Sequence, residues 1–431
     1  MVLQILFIAF VIAAIALFSF NFKKVIRNIR LGRPVDRFDR PGERLKVMLK
    51  VAFGQTKMVA RPIPAILHFF VYAGFIIINI EVLEIMIDGI FGTHRVFSGL
   101  GGFYNFLIGS FEILAFTVLA SCVIFLIRRH VLKIKRFRGV EMTEWPKSDA
   151  NYILITEILL MSAFLIMNAA DAKLQAMGAG HYTVGGAFPI SQFLQGMLPE
   201  SESSLIAIER GCWWFHIIGI FAFLNYLPYS KHFHIMLAFP NTYFSYLKPK
   251  GEFTNMQTVT NEVKAMLDPS FTPPEAEASR FGAKDVKDLH WANLLNAYTC
   301  TECGRCTDAC PANITGKLLS PRKIMMDTRD RLTEVGKNID KHGADYDDGK
   351  SLLDDYVSRE EIWACTSCNA CTQACPVNID PLGIIVEMRR YIVMEESQAP
   401  GSLNTMMGNL ENNGAPWKYS PADRFNWANK N

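Results

Sequence analysis

Five apolar runs, at residues 3–20, 63–87, 104–127, 151–170 and 211–229, constrain this chain more than anything else in it. Each approaches the ~20 residues a helix needs to cross the hydrocarbon of a bilayer. In lipid a backbone N–H or C=O finds no water, so such runs fold as helices that satisfy their own hydrogen bonds. Half of the 431 residues are hydrophobic, more than a soluble protein of this size carries. A cleaved secretory signal is the competing reading of residues 3–20. It needs a basic start and a small-residue cleavage site, and neither is present.

The connecting loops differ in charge. Residues 21–62 hold twelve Lys or Arg against three acids, and residues 128–150 hold seven Lys or Arg. Residues 88–103 carry only Arg95 as a basic residue, and 171–210 only Lys173 and Arg210. Basic loops stay on the cytoplasmic side, so five spans place the N-terminus outside and the C-terminus inside. A plasma membrane of a bacterium or archaeon is the expected location.

The remaining sequence is built on a repeat. Cys300-x2-Cys303-x2-Cys306-x3-Cys310-Pro311 recurs as Cys365-x2-Cys368-x2-Cys371-x3-Cys375-Pro376. This spacing holds a [4Fe–4S] cluster, and in two-cluster ferredoxins the fourth Cys ligates the other cluster. One set is then Cys300, Cys303, Cys306 and Cys375. The other is Cys365, Cys368, Cys371 and Cys310. Zinc sites more often show two Cys-x2-Cys pairs. The two remaining cysteines, Cys122 and Cys212, lie in apolar runs and read as small buried hydrophobes. With no disulfide framework, the cluster region fits a reducing compartment, in agreement with the charge pattern.

The expected architecture is mostly α, a five-helix transmembrane bundle followed by a cytosolic α-helical dicluster ferredoxin domain. Residues 1–247 form the membrane domain, closing with an interfacial segment at 230–247. A Pro-rich linker of little regular structure follows at 248–282, and the ferredoxin-like domain at 283–396. The 54 residues between the Cys motifs exceed the spacer of a small ferredoxin and imply an inserted subdomain. Helices are expected near 283–297, 321–335, 351–364 and 381–396. The Asn/Gly/Pro-rich tail, 397–431, reads as extended on the surface.

Ionisable groups within the spans are costly and mark function. His68 lies near the cytoplasmic end of span two and His216 near the outer end of span five; His232 and His234 follow span five. Bis-His ligation of haem between facing helices is the chemistry such residues serve. His216 and His234 are eighteen residues apart, ~27 Å along a helix, too far to share one haem. His68 has the depth to pair with His232 or His234, while His94 and His181 are loop residues and weaker candidates. One haem b or two are expected. Glu81 and Glu84 share a face of span two and are candidates for proton handling beside a quinone. Glu112 and Glu157 are further acids within spans. Lys231, Arg128 and Arg129 suit lipid phosphates or haem propionates. No Gly-x-Gly-x-x-Gly fingerprint occurs, so a flavin or NAD site is not expected.

The His pattern resembles the cytochrome b subunit of respiratory nitrate reductase. Trp213-Trp-Phe-His216, the run Tyr226 to His234, and Cys300 to Arg322 are similar to the membrane half of heterodisulfide-reductase-like iron–sulfur oxidoreductases. The resemblance covers residues 1–395. It implies electron exchange between a cytosolic redox partner and menaquinone through clusters and b haem. The implied partners are electron-transfer flavoprotein or a subunit with a cysteine-rich Cys-Cys-Gly domain, and no nucleic acid. Nitrate-reductase-like subunits carry a second His ten residues from the first, to one side or the other, and at those two positions this chain has Met58 and Ile78. No adjacent Cys-Cys occurs, so the domain that does substrate chemistry in many relatives is expected on another subunit. The chain reads as the electron-transfer and quinone-reactive part of an oxidoreductase complex. A membrane-anchored iron–sulfur sensor or scaffold, without haem or quinone, is the alternative.

Overall fold

The computed structural model describes residues 1–274 and 280–428. Residues 275–279 of the expected linker and 429–431 of the tail lie outside the described residues. Helices come in the order α1 (Val2–Ile29), α2 (Pro41–Met48), α3 (Pro62–Phe91), α4 (Gly102–His130), α5 (Trp145–Met177), α6 (Glu202–Tyr226), α7 (His234–Tyr243) and α8 (Gln257–Leu267). The second half contributes α9 (Trp291–Thr299), α10 (Arg305–Asp308), α11 (Pro311–Ile314), α12 (Pro321–His342), α13 (Leu352–Asp355), α14 (Arg359–Trp363), α15 (Ala370–Ala374), α16 (Pro381–Met394) and α17 (Gly401–Asn413). Among the described residues there is no β-strand, only isolated bridges.

Five helices among the described residues are long and apolar enough to cross a membrane: α1, α3, α4, α5 and α6 with its extension to Tyr229. All run past the ends of the apolar runs because local signals set their limits. Pro62 opens α3 in the first turn, where its missing N–H costs nothing, and Gly92 closes it in the left-handed conformation. Pro146 opens α5 and Gly178 closes it in the same way. Exposed Leu3, Ile5, Ile12, Phe69, Phe106 and Leu159 leave the outer faces of these helices apolar. An apolar belt of that extent is a lipid-facing surface.

The structure changes four expectations. The helix carrying His216 starts at Glu202 rather than 211, so His216 lies near mid-helix and not at its outer end. The linker contains α8, and the tail contains α17. The expected helix at 351–364 is broken: Leu353 and Asp354 leave helical geometry, and Ser358 caps a separate α14.

The expected boundary at 247 does not separate two cores. One buried cluster joins Val25 of α1, Leu227, Phe233 and Leu237 to Leu289, Leu294, Ile324, Ile384 and Met388. The segment 230–247 is thus a seam: it packs against α9 as well as against the membrane helices. The basic loops grip the same cluster region. Lys57 Nζ donates to the Thr372 carbonyl at 3.2 Å and to Asn378 Oδ1 at 2.9 Å. Arg322 pairs with Glu141 at 2.7 Å and donates to the Arg136 carbonyl at 2.5 Å.

Candidate functional site

Each Cys motif folds as a loop followed by a short helix, and α10 and α15 pack together. Cys300, Cys303, Cys306 and Cys375 line one small cavity. In the second set, Cys310 and Cys368 are near neighbours of Cys365, and Cys371 lies beside it. Among the described residues no three His, Cys, Asp or Glu side chains converge as the ligands of a single metal ion do. Burial pushes the Cys300 and Cys371 thiols up to about 12 and Cys375 to about 11. Thiolates in such surroundings need bound cationic iron to offset their charge. Backbone N–H groups already aim at two sulfurs, Ser367 N at Cys365 Sγ (3.4 Å) and Ile379 N at Cys375 Sγ (3.3 Å). Each set has two buried cysteines, Cys300 and Cys375 in the first and Cys310 and Cys371 in the second, and the second alone has an exposed one, Cys368.

A second cavity, of about 470 Å³, runs through the membrane helices from His216 to the seam. His68, His216, His232 and His234 all line it. Its inner end shares Thr301, Cys303, Pro376 and Val377 with the wall of the first four-Cys cavity. His68 and His234 face one another with ring centroids 6.4 Å apart and planes 41° apart.

The hydrogen bonds sort these histidines. Nδ1 of His68 lies 3.1 Å from Gln55 Oε1, Nδ1 of His216 3.1 Å from the Leu160 carbonyl, and Nδ1 of His234 3.0 Å from the Lys231 carbonyl. A carbonyl-type oxygen can only accept, so each Nδ1 carries the proton and each Nε2 keeps its lone pair. Metal-ligating histidines are oriented in this way. Among the described residues the His232 ring has no such partner; it packs against Phe223 and His234. The donor set and the apolar cavity therefore fit haem through His68, His234 and His216. Among the described residues that line the cavity no histidine pairs with His216 as His234 does with His68, and Cys122, Glu157 and Met161 are also in its wall.

The acids separate. Glu81 and Glu84 line another chamber, of about 310 Å³, at the end of the bundle away from the Cys motifs. Glu84 is fully engaged: its carboxylate accepts from Phe97 N at 2.8 Å and from Tyr104 Oη at 2.9 Å. Glu112 accepts from Asn168 at 3.2 Å and from the N–H groups of Ile190 and Ser191 at 2.9 and 3.1 Å. Both act as structural clasps. Glu81 is 3% exposed and its Oε2 has no hydrogen-bond partner. His94 and His181 lie in this chamber with ring centroids 5.6 Å apart, although sequence places them in separate loops. Arg95 reaches Asp171 (2.5 Å) and Asn168 (2.9 Å) there. Burial works to lower the guanidinium pKa, and the Asp171 charge, foremost among the opposing influences, raises it. Lys231 is taken up by Glu302 rather than facing lipid.

Comparison with known proteins agrees with this layout. Residues 299–379 match the 4Fe-4S dicluster domain family. The chain is 28% identical to the Bacillus subtilis protein "Probable iron-sulfur-binding oxidoreductase FadF", across 98% of this chain and 60% of that one. It is 27% identical to the "EtfAB:quinone oxidoreductase" of Syntrophomonas wolfei, across 96% and 58%. It is 32% identical to a CoB-CoM heterodisulfide reductase component of Methanosarcina acetivorans, across 27% and 60%. The chain thus spans about three-fifths of the first two relatives. No solved structure matches. The chain is a homologue of iron–sulfur oxidoreductases, carrying a 4Fe-4S dicluster domain beside five membrane-spanning helices.

Proposed function

We propose that this chain carries electrons between a soluble redox partner on the cytoplasmic side and a membrane quinone, menaquinone in the first instance. The observation that carries the reading is the wall shared by the first four-Cys cavity and the His-lined cavity. A cluster in the first cavity and a haem in the second would then sit side by side, with no intervening domain. Cys300, Cys303, Cys306 and Cys375 would hold one [4Fe–4S] cluster, and Cys365, Cys368, Cys371 and Cys310 the other. His68 with His234 would hold one haem b, and His216 a second. When bound, these groups supply one-electron transfer.

The protein's own residues orient and insulate them. Gln55, Leu160 and Lys231 hold the imidazole protons at Nδ1. Exposed Cys368 makes the second cluster site the natural face for a partner. The name of the Syntrophomonas relative supports electron-transfer flavoprotein as that partner. Quinone chemistry moves protons as well as electrons, and Glu81, whose Oε2 has no hydrogen-bond partner among the described residues, would exchange one.

A reduced-minus-oxidised visible spectrum of the purified chain, with pyridine haemochrome quantitation, tests this. A b-type α-band with one or two haems per chain is the expected result. An iron–sulfur bleach without a haem band refutes it and leaves a membrane-anchored sensor or scaffold.

A further inference from the structure

The two Cys motifs repeat in backbone as well as in sequence. Glu302 and Ser367 occupy the same place, between the first and second Cys of each copy, and share the left-handed conformation (φ 55° and 56°). The loop therefore dictates that backbone whichever side chain is present. The side chains diverge. Ser367 Oγ accepts one bond, from Arg389 Nη1 at 3.2 Å. Glu302 is 3% exposed, and its carboxylate is held by Arg329 Nη1 at 2.7 Å and by Lys231 Nζ. Lys231 belongs to the seam. Its Nζ also donates to the Pro146 carbonyl at 2.5 Å, and its backbone N donates to Asp149 Oδ2 at 3.0 Å. Its own carbonyl is the oxygen that fixes His234 Nδ1.

A buried carboxylate is a costly way to join two surfaces that an apolar core already holds. What it adds is a fixed register between them. Only the Cys loop that shares a wall with the His-lined cavity carries it.

We propose that Glu302 is a positioning residue: by clamping Lys231 it fixes the first Cys loop relative to His234, and so sets the rate of electron exchange between the cluster and haem sites. This rests on the function proposed above. The second motif supplies the test variant, Glu302→Ser, a side chain that this backbone is known to accept. In the full chain, loaded with clusters and reconstituted in lipid, Glu302→Ser should leave both cluster EPR signals and the haem content unchanged. Haem reduction by electrons entering at the clusters should be slower than in the wild-type chain, a loss read as the ratio of the two rates. Lys231→Met should slow it too, and the double variant no further than the slower single variant, because the Glu302–Lys231 contact is the one that both changes remove. Ser367→Glu, altering a side chain bonded to Arg389 rather than to Lys231, should have no such effect.

An unchanged exchange rate in Glu302→Ser, with signals intact, overturns the proposal. So does additive slowing in the double variant. If the wild-type chain binds no haem, the proposed function fails instead. The clamp is then read from hydrogen exchange at 229–235, which Glu302→Ser must accelerate while leaving 365–375 unchanged; equal protection overturns it.

Discussion

Gly336 is where the foot of the first membrane helix meets the cluster domain, and adding one methyl group there should loosen the joint. A Cβ at Gly336 would stand 2.5 Å from Asn28 Oδ1 and 2.7 Å from its Cγ. Asn28 is 6% exposed and cannot swing into water without breaking its bonds. Its Nδ2 donates to Tyr298 Oη at 2.9 Å, and its Oδ1 accepts from Arg27 at 2.9 and 3.1 Å. Unmaking a buried hydrogen bond costs about 1–3 kcal/mol, and crowding a packed site costs a further ~1–3 kcal/mol. Alanine's better helix propensity returns about 1 kcal/mol. Gly336→Ala should therefore destabilise the chain by about 3 kcal/mol, a fall of ~6 °C in Tm at about 2 °C per kcal/mol for a chain of this size. Thermal unfolding in detergent, followed by near-UV circular dichroism, measures it. Asn28→Ala makes room for the methyl group, so on that background the further loss should shrink below about 1 kcal/mol. An unchanged or raised Tm in Gly336→Ala, or full additivity with Asn28→Ala, refutes the packing described at this contact.

Three more expectations follow from the geometry. Cys303→Ser should remove one cluster's EPR signal and Cys368→Ser the other, each leaving its counterpart; loss of both signals in either variant would contradict the grouping of the eight thiols. Glu81→Gln should slow quinone turnover with clusters and haem retained, whereas Glu84→Gln should chiefly lower Tm by breaking the clasp to Phe97 and Tyr104; equal quinone rates in wild type and Glu81→Gln would remove the proton role. Burial lowers the pKa of His290, whose Nδ1 has no partner. Unfolding lets this imidazole take up a proton, so its contribution to stability is full above the ordinary histidine range, near 6.5, and is lost as pH falls below it. His290→Gln should flatten the decline in Tm between about pH 7.5 and 5.5, and parallel profiles would sink this.

The membrane helices were legible because lipid demands length and apolarity in unbroken runs. Their ends were less so. The outer turns of α6 contain Glu209 and Arg210, which pair with each other, and Glu209 also accepts from Tyr182 Oη at 3.0 Å. Hydropathy counts those residues as loop, and that error set His216 too near the surface. The eight cysteines declared themselves through spacing. What spacing leaves open is which of the neighbouring histidines has its Nδ1 held, since that depends on the Leu160 and Lys231 carbonyls, and any residue supplies a carbonyl. The charge of the basic loops led to an expected sidedness but not to their second use: Lys57 donates to the Thr372 carbonyl of the cluster domain, and the Arg136 carbonyl accepts from Arg322. Helices α8 and α17 escaped because Pro and Gly around them suggested coil.

The core that spans the seam also imposes a timetable on biosynthesis. Asn28 leaves the ribosome early, yet its partner Tyr298 follows 270 residues later. At about 5–20 residues per second that interval is roughly 15–50 s. Throughout it the base of the first helix waits in the membrane surface with its polar groups and Val25 uncovered. Insertion of the first helix therefore runs ahead of the domain that seals it, and a nascent chain stalled ahead of Tyr298 presents an open, adhesive foot to whatever chaperone is at hand.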